Sequence, residues 1–421
     1  MPHINAGDTA FVLIGAALVC LMTPGLAFFY GGLVRRKNVL TIMMQSFISM
    51  GVVTIIWVAF GFSLAFGGTD PVTHHQWALN GLIGNFDYVF LHNVGVAPSP
   101  LYSSTIPFLA FFAFQEMFAI ITPALITGAF ADRVSFKSYL LFLVGWSVLI
   151  YIPFAHWVWG GGFLMQWGLK DFAGGIVVHL SAGFAALASV FVVGKRVLLP
   201  GEKLAPHNIA FVALGTGLLW FGWFGFNAGS AGAANGQAAV AFVNTDIAAS
   251  FGMLTWLFLA WYKDKKPGMT GAMVGAVAGL ACVTPTAGFI DPWAAAVVGI
   301  AAGSICYGAV LFRARMGWDD ALDVWGCHGV GGALGIVLTG VFSVGTYAGI
   351  AGPGLISGHL HLFGIQVAGA AITIIYSFAV TWLILKFVNI FVKVRVSPEE
   401  EMLGLDEMEH GEMAYASLDA G

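Results

Sequence analysis

Charge is what this chain has least of. Asp, Glu, Lys and Arg make up 9% of its 421 residues against 59% hydrophobic ones, and the mean hydropathy is +0.87. A soluble globule of that length needs much more polar surface, so composition excludes one and points to a multi-span membrane protein. Cysteine is scarce as well: Cys20, Cys282, Cys306 and Cys327 fall in apolar runs without metal-ligand or redox spacing and read as small buried thiols. Period-two alternation is missing from the apolar runs, which excludes a β-barrel. The first run is preceded by no basic segment and followed by no convincing cleavage site, so it reads as a retained span. No cofactor, metal or nucleic-acid partner is expected, and the chain is not read as an enzyme.

What is abundant is apolar sequence in lengths that suit a bilayer, about 20 residues per helix. Eleven runs lie at about 9–33, 39–66, 105–130, 139–159, 173–193, 208–229, 243–262, 270–290, 293–312, 324–346 and 364–392. Basic residues follow the odd-numbered runs: Arg35, Arg36 and Lys37; Arg133 and Lys137; Lys195, Arg196 and Lys203; Lys263, Lys265 and Lys266; Arg313 and Arg315; Lys393 and Arg395. Breaks after even-numbered runs contain only Lys170. The amino terminus is therefore predicted outside and the carboxyl terminus in the cytoplasm.

Five spans is an odd number, so a second block of five would cross in the opposite sense. Spans 1–5 and 6–10 are expected to form an inverted repeat, with halves at about 9–200 and 207–346 and one extra helix. The trace of it is DFAGGIVVHLSAG in span 5 against DVWGCHGVGG in span 10, an Asp followed by a His and small residues. Inverted repeats place substrate sites at their interface near the midplane. Gly25, Gly31, Gly32, Gly222, Gly225, Gly229, Gly329, Gly331, Gly332 and Gly335 read as close helix contacts. Pro24, Pro123, Pro153 and Pro285 read as kinks or local breaks. The chain divides into a membrane part, 1–396, and a tail, 397–421, with eight acids and no Lys or Arg. A solvated terminus accounts for such a tail. The outer loop 67–104 carries Asp70, His74, His75, Asp87 and His92 without a strong ligand pattern.

Of eleven histidines, His156, His179 and His328 fall in spans. Ionisable groups at that depth are costly and usually face a cavity or a partner; a hydrogen-bonded structural role is the alternative for each. Two imidazoles sharing an apolar channel would offer donors and acceptors without a permanent charge. Phe114 and Phe118 share a face of span 3, Phe226 and Ser230 end span 6, and Trp159 falls at the outer mouth. An indole face with a hydroxyl attracts a cation; an interfacial aromatic belt is the other reading of Trp159.

Together these stretches resemble the ammonium transporter family, the Amt branch of the superfamily that includes the Rh proteins. The matching segments run in order from PGLAFFYGGLVRRKNVL through AHWVWGGG, DFAGGIVVH, GKRV, PHN, GWFGFNAGSAG, AFVNT and DVWGCHGVGG to GLDEMEHGEMAY. The resemblance implies an ammonium recruitment site at Trp159, Phe118 and Ser230, a gate at Phe118 and Phe226, and paired pore histidines at His179 and His328. It matches Asp171 to a buried carboxylate, which reads either as a helix cap or as a direct ion contact. A homotrimer in the cell membrane is implied, along with a tail that answers to a PII-type signalling protein, with Gly404, Leu405, Asp406, His410, Gly411 and Glu412 fitting its pattern. Glu116 reads as a subunit or helix contact, or as a second vestibule charge. Trp325 and Cys327 flank the second histidine without an assigned role. The expected mechanism recruits ammonium, removes its proton and passes ammonia along the histidines. Two rivals stand beside it: an ammonium sensor with little transport, and a membrane redox protein holding haem between His179 and His328.

Overall fold

The computed structural model describes residues 3–69, 76–198, 201–202, 204–344 and 353–415. Asp70, His74, His75, Lys203 and Asp419 lie outside the described residues. Eleven apolar helices follow one another: α1 Ala6–Leu33, α2 Arg36–Phe66, α3 Phe108–Phe130, α4 Phe136–Gln166, α5 Gly175–Val193, α6 Ile209–Gly229, α7 Gly236–Asp264, α8 Met269–Val283, α9 Pro292–Met316, α10 Trp325–Phe342 and α11 Leu360–Phe391. All but α8 are long enough to cross a bilayer as helices. Two short helices of the tail, α12 Pro398–Leu403 and α13 Leu405–His410, follow, and a small hairpin of β1 Pro98–Ser99 and β2 Ser103–Pro107 lies in the loop before α3.

Asparagine starts three of the long helices. The side chains of Asn5, Asn208 and Asn235 accept the N–H groups of Asp8, Phe211 and Ala238 at 3.0–3.1 Å, pairing donors that the first turn leaves without carbonyl partners. The eighth run ends sooner than its hydropathy predicts. The regular helix α8 ends at Val283, and Thr284, still with helical backbone at φ −49° and ψ −49°, leads into a turn with its side chain in the core. Pro285 lies beyond the helix and packs on Gly175, while its carbonyl accepts the Phe172 N–H at 3.1 Å. Pro24 and Pro123 stay within helices, and Pro153 follows a π-turn at Ser147–Tyr151.

The two halves are inverted, and their register differs from the pairing read from sequence. Both α5 and α10 open with a π-turn, Gly175–Leu180 and Trp325–Val330, that carries the histidine. Asp171 precedes His179 by eight residues and receives the N–H groups of that opening turn. Its counterpart is Asp320, eight residues before His328, which receives Val324 N–H at 3.1 Å and Trp325 N–H at 2.7 Å. Asp323 instead pairs with Arg313 at 2.6 Å.

Glycine brings the halves into contact. A Cβ at Gly183 of α5 would collide with the backbone of Gly329 in α10, and one at Gly332 would meet Leu180 N. Gly25, Gly32, Gly222 and Gly225 perform the same service between α1 and α6. In lipid, where apolar side chains gain nothing by leaving solvent, such approaches supply the dispersion contacts that hold helices together. Gly183→Ala is expected to destabilise the bundle by about 3 kcal/mol, because two backbones must separate. Thermal unfolding in detergent measures it, and an unchanged midpoint would show that α5 and α10 can part freely.

At the cytoplasmic ends, the basic residues that marked topology tie helices together. Fully buried Arg133 meets Asp319 at 3.3 Å, Arg196 meets the same carboxylate at 2.6 Å, and Arg35 meets Asp132 at 3.1 Å. Burial alone would raise the Asp319 pKa, but the Arg196 hydrogen bond and the two guanidinium charges bring it down to about 2.

Candidate functional site

The central pair is positioned by the openings of α5 and α10. Asp171 accepts Gly174 and Gly175 N–H on Oδ1 at 2.8 and 2.6 Å, and Ile176 and Val177 N–H on Oδ2 at 2.7 and 3.4 Å. A carboxylate has about four lone-pair sites, and all of them are taken here. Of the two sequence readings, the geometry is that of a helix cap.

His179 and His328 then meet face to face. Their rings lie 5.2 Å apart and 18° from parallel, with the two Nδ1 atoms 3.2 Å apart. Thr284, brought in by the break after α8, donates its hydroxyl proton to Leu280 O at 2.8 Å and accepts Trp223 Nε1–H at 2.9 Å. Its remaining lone pair faces His179 Nε2 at 3.3 Å. That network assigns the proton of neutral His179 to Nε2, so its Nδ1 accepts from His328 Nδ1–H and leaves the His328 Nε2 lone pair unused within the pair. Trp223 and Phe226 stack on His179 at 5.4 and 5.9 Å. The cavity at the histidines has a volume of about 10 Å³, room for roughly one molecule the size of water. Haem does not fit: a bis-histidine iron needs its two nitrogens about 4 Å apart on opposite faces of a macrocycle, whereas these rings stack at contact distance.

Above the pair the passage is closed by rings. Phe118 and Phe226 lie 4.3 Å apart at 40°. Phe118 also lines a vestibule of about 660 Å³, together with Phe114, Gln115, Trp159, Lys170 and Ser230. Trp159 stands edge-on to Phe118 at 6.1 Å, its indole N–H donating to Asp171 O at 3.0 Å. Ser230 Oγ–H donates to Phe226 O at 2.8 Å, so the hydroxyl presents lone pairs to an arriving donor. The structure thus brings Trp159, Phe118, Phe226, Ser230, His179 and His328 into one line, with Asp171 on the vestibule wall and its carboxylate oxygens turned to the α5 N–H groups. Burial lowers the Lys170 pKa from the ordinary lysine value. Another cavity, of about 740 Å³, is larger but is lined by Trp77, Asn85, Asp87 and Asn93, away from the histidines.

Other candidates fall elsewhere. His156 is held by two backbone oxygens, Ala65 O at 2.8 Å and Asn80 O at 2.5 Å, and ties α4 to the last turn of α2 and the loop after it. Glu116 is buried and does not line the vestibule; Thr54 of α2 hydrogen-bonds it and Cys20 of α1 lies close by, which makes it a helix contact. Trp325 packs on Trp318 at 5.5 Å, and Cys327 lies with Cys306 in a small apolar cluster. Thr284, Trp223, Asp320 and Lys170 were missed as site residues. Thr284 had a signal in the proline that follows it, and Lys170 in being the lone outer cation.

The tail lies on the cytoplasmic ends of the helices. Asp406 accepts Leu40 N–H, Thr41 N–H and Thr41 Oγ1–H at 2.8–2.9 Å, and Leu405 N–H donates to Asn38 Oδ1 at 2.8 Å. Glu401 meets Arg395 at 2.9 Å and accepts Val197 N–H at 2.6 Å. Gly404 has φ 119° and sits against Lys37, a conformation and a clearance that a side chain would lose. His410 packs edge-on to Phe136 at 5.1 Å, Gly411 turns the chain at φ 66°, and Glu412 N–H returns to Asp406 O at 3.3 Å. Tyr415 closes the segment, its hydroxyl 2.9 Å from His207 Nε2 and its ring under Arg36.

Inverted bundles of apolar helices, a vestibule, an aromatic constriction and stacked imidazoles in a one-molecule cavity define a multi-pass protein of the cell membrane with a narrow central conduit. The sequence model described as Ammonium Transporter Family matches residues 10–415, and the chain belongs to that family. An ammonium transporter of Bacillus subtilis (strain 168) is 46% identical over 413 residues, covering 98% of this chain and 99% of the relative. Ammonium transporter Amt1 of Archaeoglobus fulgidus is 42% identical, covering 98% of this chain and all of the relative. Among solved structures, Saccharomyces cerevisiae Mep2 superposes with a TM-score of 0.86 at 33% identity, over 100% of this chain and 93% of that one. A structure described as a sensor Amt protein matches with a TM-score of 0.86 at 28% identity, over 96% of this chain and 98% of that one.

Proposed function

We propose that this protein moves ammonium nitrogen across the cell membrane as ammonia, after ammonium is bound in the vestibule and loses its proton. The observation that carries the reading is the stacked histidine pair, buried without a counter-charge in contact, in a cavity of about 10 Å³ beneath touching phenyl rings. Carrying an unpaired monovalent charge into so dry a space costs several kcal/mol even after relaxation. Ammonia avoids that cost, and it can accept from one ring and donate to the next. Potassium has no proton to shed, so it keeps the full penalty.

In the vestibule, the Trp159 face and the Ser230 lone pairs suit a small cation that donates hydrogen bonds. Phe118 and Phe226 would part to admit it. The tail's polar contacts with the start of α2 support a regulatory role for Gly404, Leu405, Asp406, His410, Gly411 and Glu412, and the same reading includes a homotrimer and a PII-type cytoplasmic partner. A current recording from proteoliposomes tests the core of the proposal. Under an ammonium gradient, labelled ammonium is expected to enter while an equal potassium gradient drives nothing. Current alongside uptake assigns net charge transfer, and uptake without current assigns neutral ammonia. Negligible ammonium flux with ammonium-dependent binding of a partner would favour a sensor instead, and equal passage of potassium would sink the deprotonation step.

A further inference from the structure

Lys170 is the only Lys or Arg in any outward-facing break of the sequence, and the structure puts it on the wall of the vestibule. Its backbone is fixed there. Fully buried Gln366 of α11 accepts Lys170 N–H on Oε1 at 2.9 Å and donates from Nε2 to Lys170 O at 2.6 Å. Asp171, next in sequence, has both carboxylate oxygens on the first turn of α5. Among the described residues no carboxylate forms an ion pair with the Lys170 ammonium. A half-buried cation that forms no ion pair therefore shares a cavity with the residues that would receive a cation, and the one carboxylate on the same wall, Asp171, is committed to backbone N–H groups.

We propose that Lys170 is a specificity-determining residue of the vestibule, whose unpaired ammonium opposes cations arriving at Trp159 and Ser230 and so sets a higher KM for ammonium than an uncharged side chain at 170 would. This rests on the reading of the vestibule as the ammonium site. Across about 10 Å of a wet cavity, one positive charge reduces the occupancy of a monovalent cation roughly two- to fivefold. Added salt should weaken the effect, because the screening length is about 10 Å at 0.1 M.

The test uses full-length protein in liposomes and initial rates of labelled ammonium uptake at several concentrations of an inert salt. Lys170→Gln is expected to lower KM two- to fivefold, Lys170→Glu to lower it further, and Lys170→Arg to keep the wild-type value. Salt should lower KM in the wild type, leave it alone in Lys170→Gln and raise it in Lys170→Glu, a pattern that a purely structural lysine would not give. Trp159→Leu serves as the companion variant and is expected to raise KM. If Trp159→Leu raises KM while both Lys170→Gln and Lys170→Glu keep the wild-type KM and salt response, the role of Lys170 is overturned and the vestibule reading stands. If Trp159→Leu also leaves KM unchanged, the vestibule reading fails and takes this inference with it.

Discussion

Alanine in place of His328 is expected to reduce the preference for ammonium over potassium by about 100-fold, a loss of roughly 2.7 kcal/mol of discrimination. In the wild type the two rings and their stacked neighbours leave about 10 Å³ of free space, so a potassium ion reaching it would have almost no water with it. Removing one imidazole opens room for about two waters, and a partly hydrated ion no longer meets the full dehydration penalty. His179→Ala should act in the same direction and also release Thr284 from its ring contact. Folding should suffer far less, since His328 is held through a single side-chain hydrogen bond. Reversal potentials in proteoliposomes with ammonium on one side and potassium on the other measure the effect. Wild-type selectivity in both variants would remove the histidines from the mechanism.

The second large effect is expected at Asp171, and it should appear in stability before transport. Asp171→Ala leaves the four N–H groups of Gly174 to Val177 buried without an acceptor. Losing a charged acceptor of this kind costs on the order of 3 kcal/mol or more, and the π-turn that aims His179 loses its anchor. Asp171→Asn keeps one oxygen but turns an NH2 toward donors, so it should fall between the two. Thermal unfolding and uptake, measured on the same preparations, order the three proteins. An Asp171→Asn variant with wild-type melting but a raised KM for ammonium would instead support direct contact with the ion.

Much of this architecture was legible because bilayer length and basic-residue placement act on every span independently. A misplaced boundary in one span does not disturb the others, and each of the eleven runs is a helix, the eighth shorter than its run. The histidine pair was legible for a related reason: few forces other than function or a specific hydrogen bond keep an imidazole at that depth. His156 turned out to be the hydrogen-bonded kind. What sequence hid were relations across space. Asp319, Asp320 and Asp323 crowd five residues, and nothing in their identity says which one caps α10. Hydropathy continues past Val283, and although Pro285 marks a break there, nothing in the sequence says that Thr284 would arrive beside His179. Lys170 was counted as a topology signal, whereas its neighbours make it an electrostatic one.

Asp406 grips Leu40 and Thr41 near the start of α2 with three hydrogen bonds, while Glu401 reaches Val197 in the segment that leaves α5. Cutting the chain after Val396 would therefore be no simple trimming of an appendage. It would strip the start of α2 of its acceptors and take Glu401 from Arg395, so a shortened protein with altered uptake would report damage to the bundle as readily as the loss of a signal.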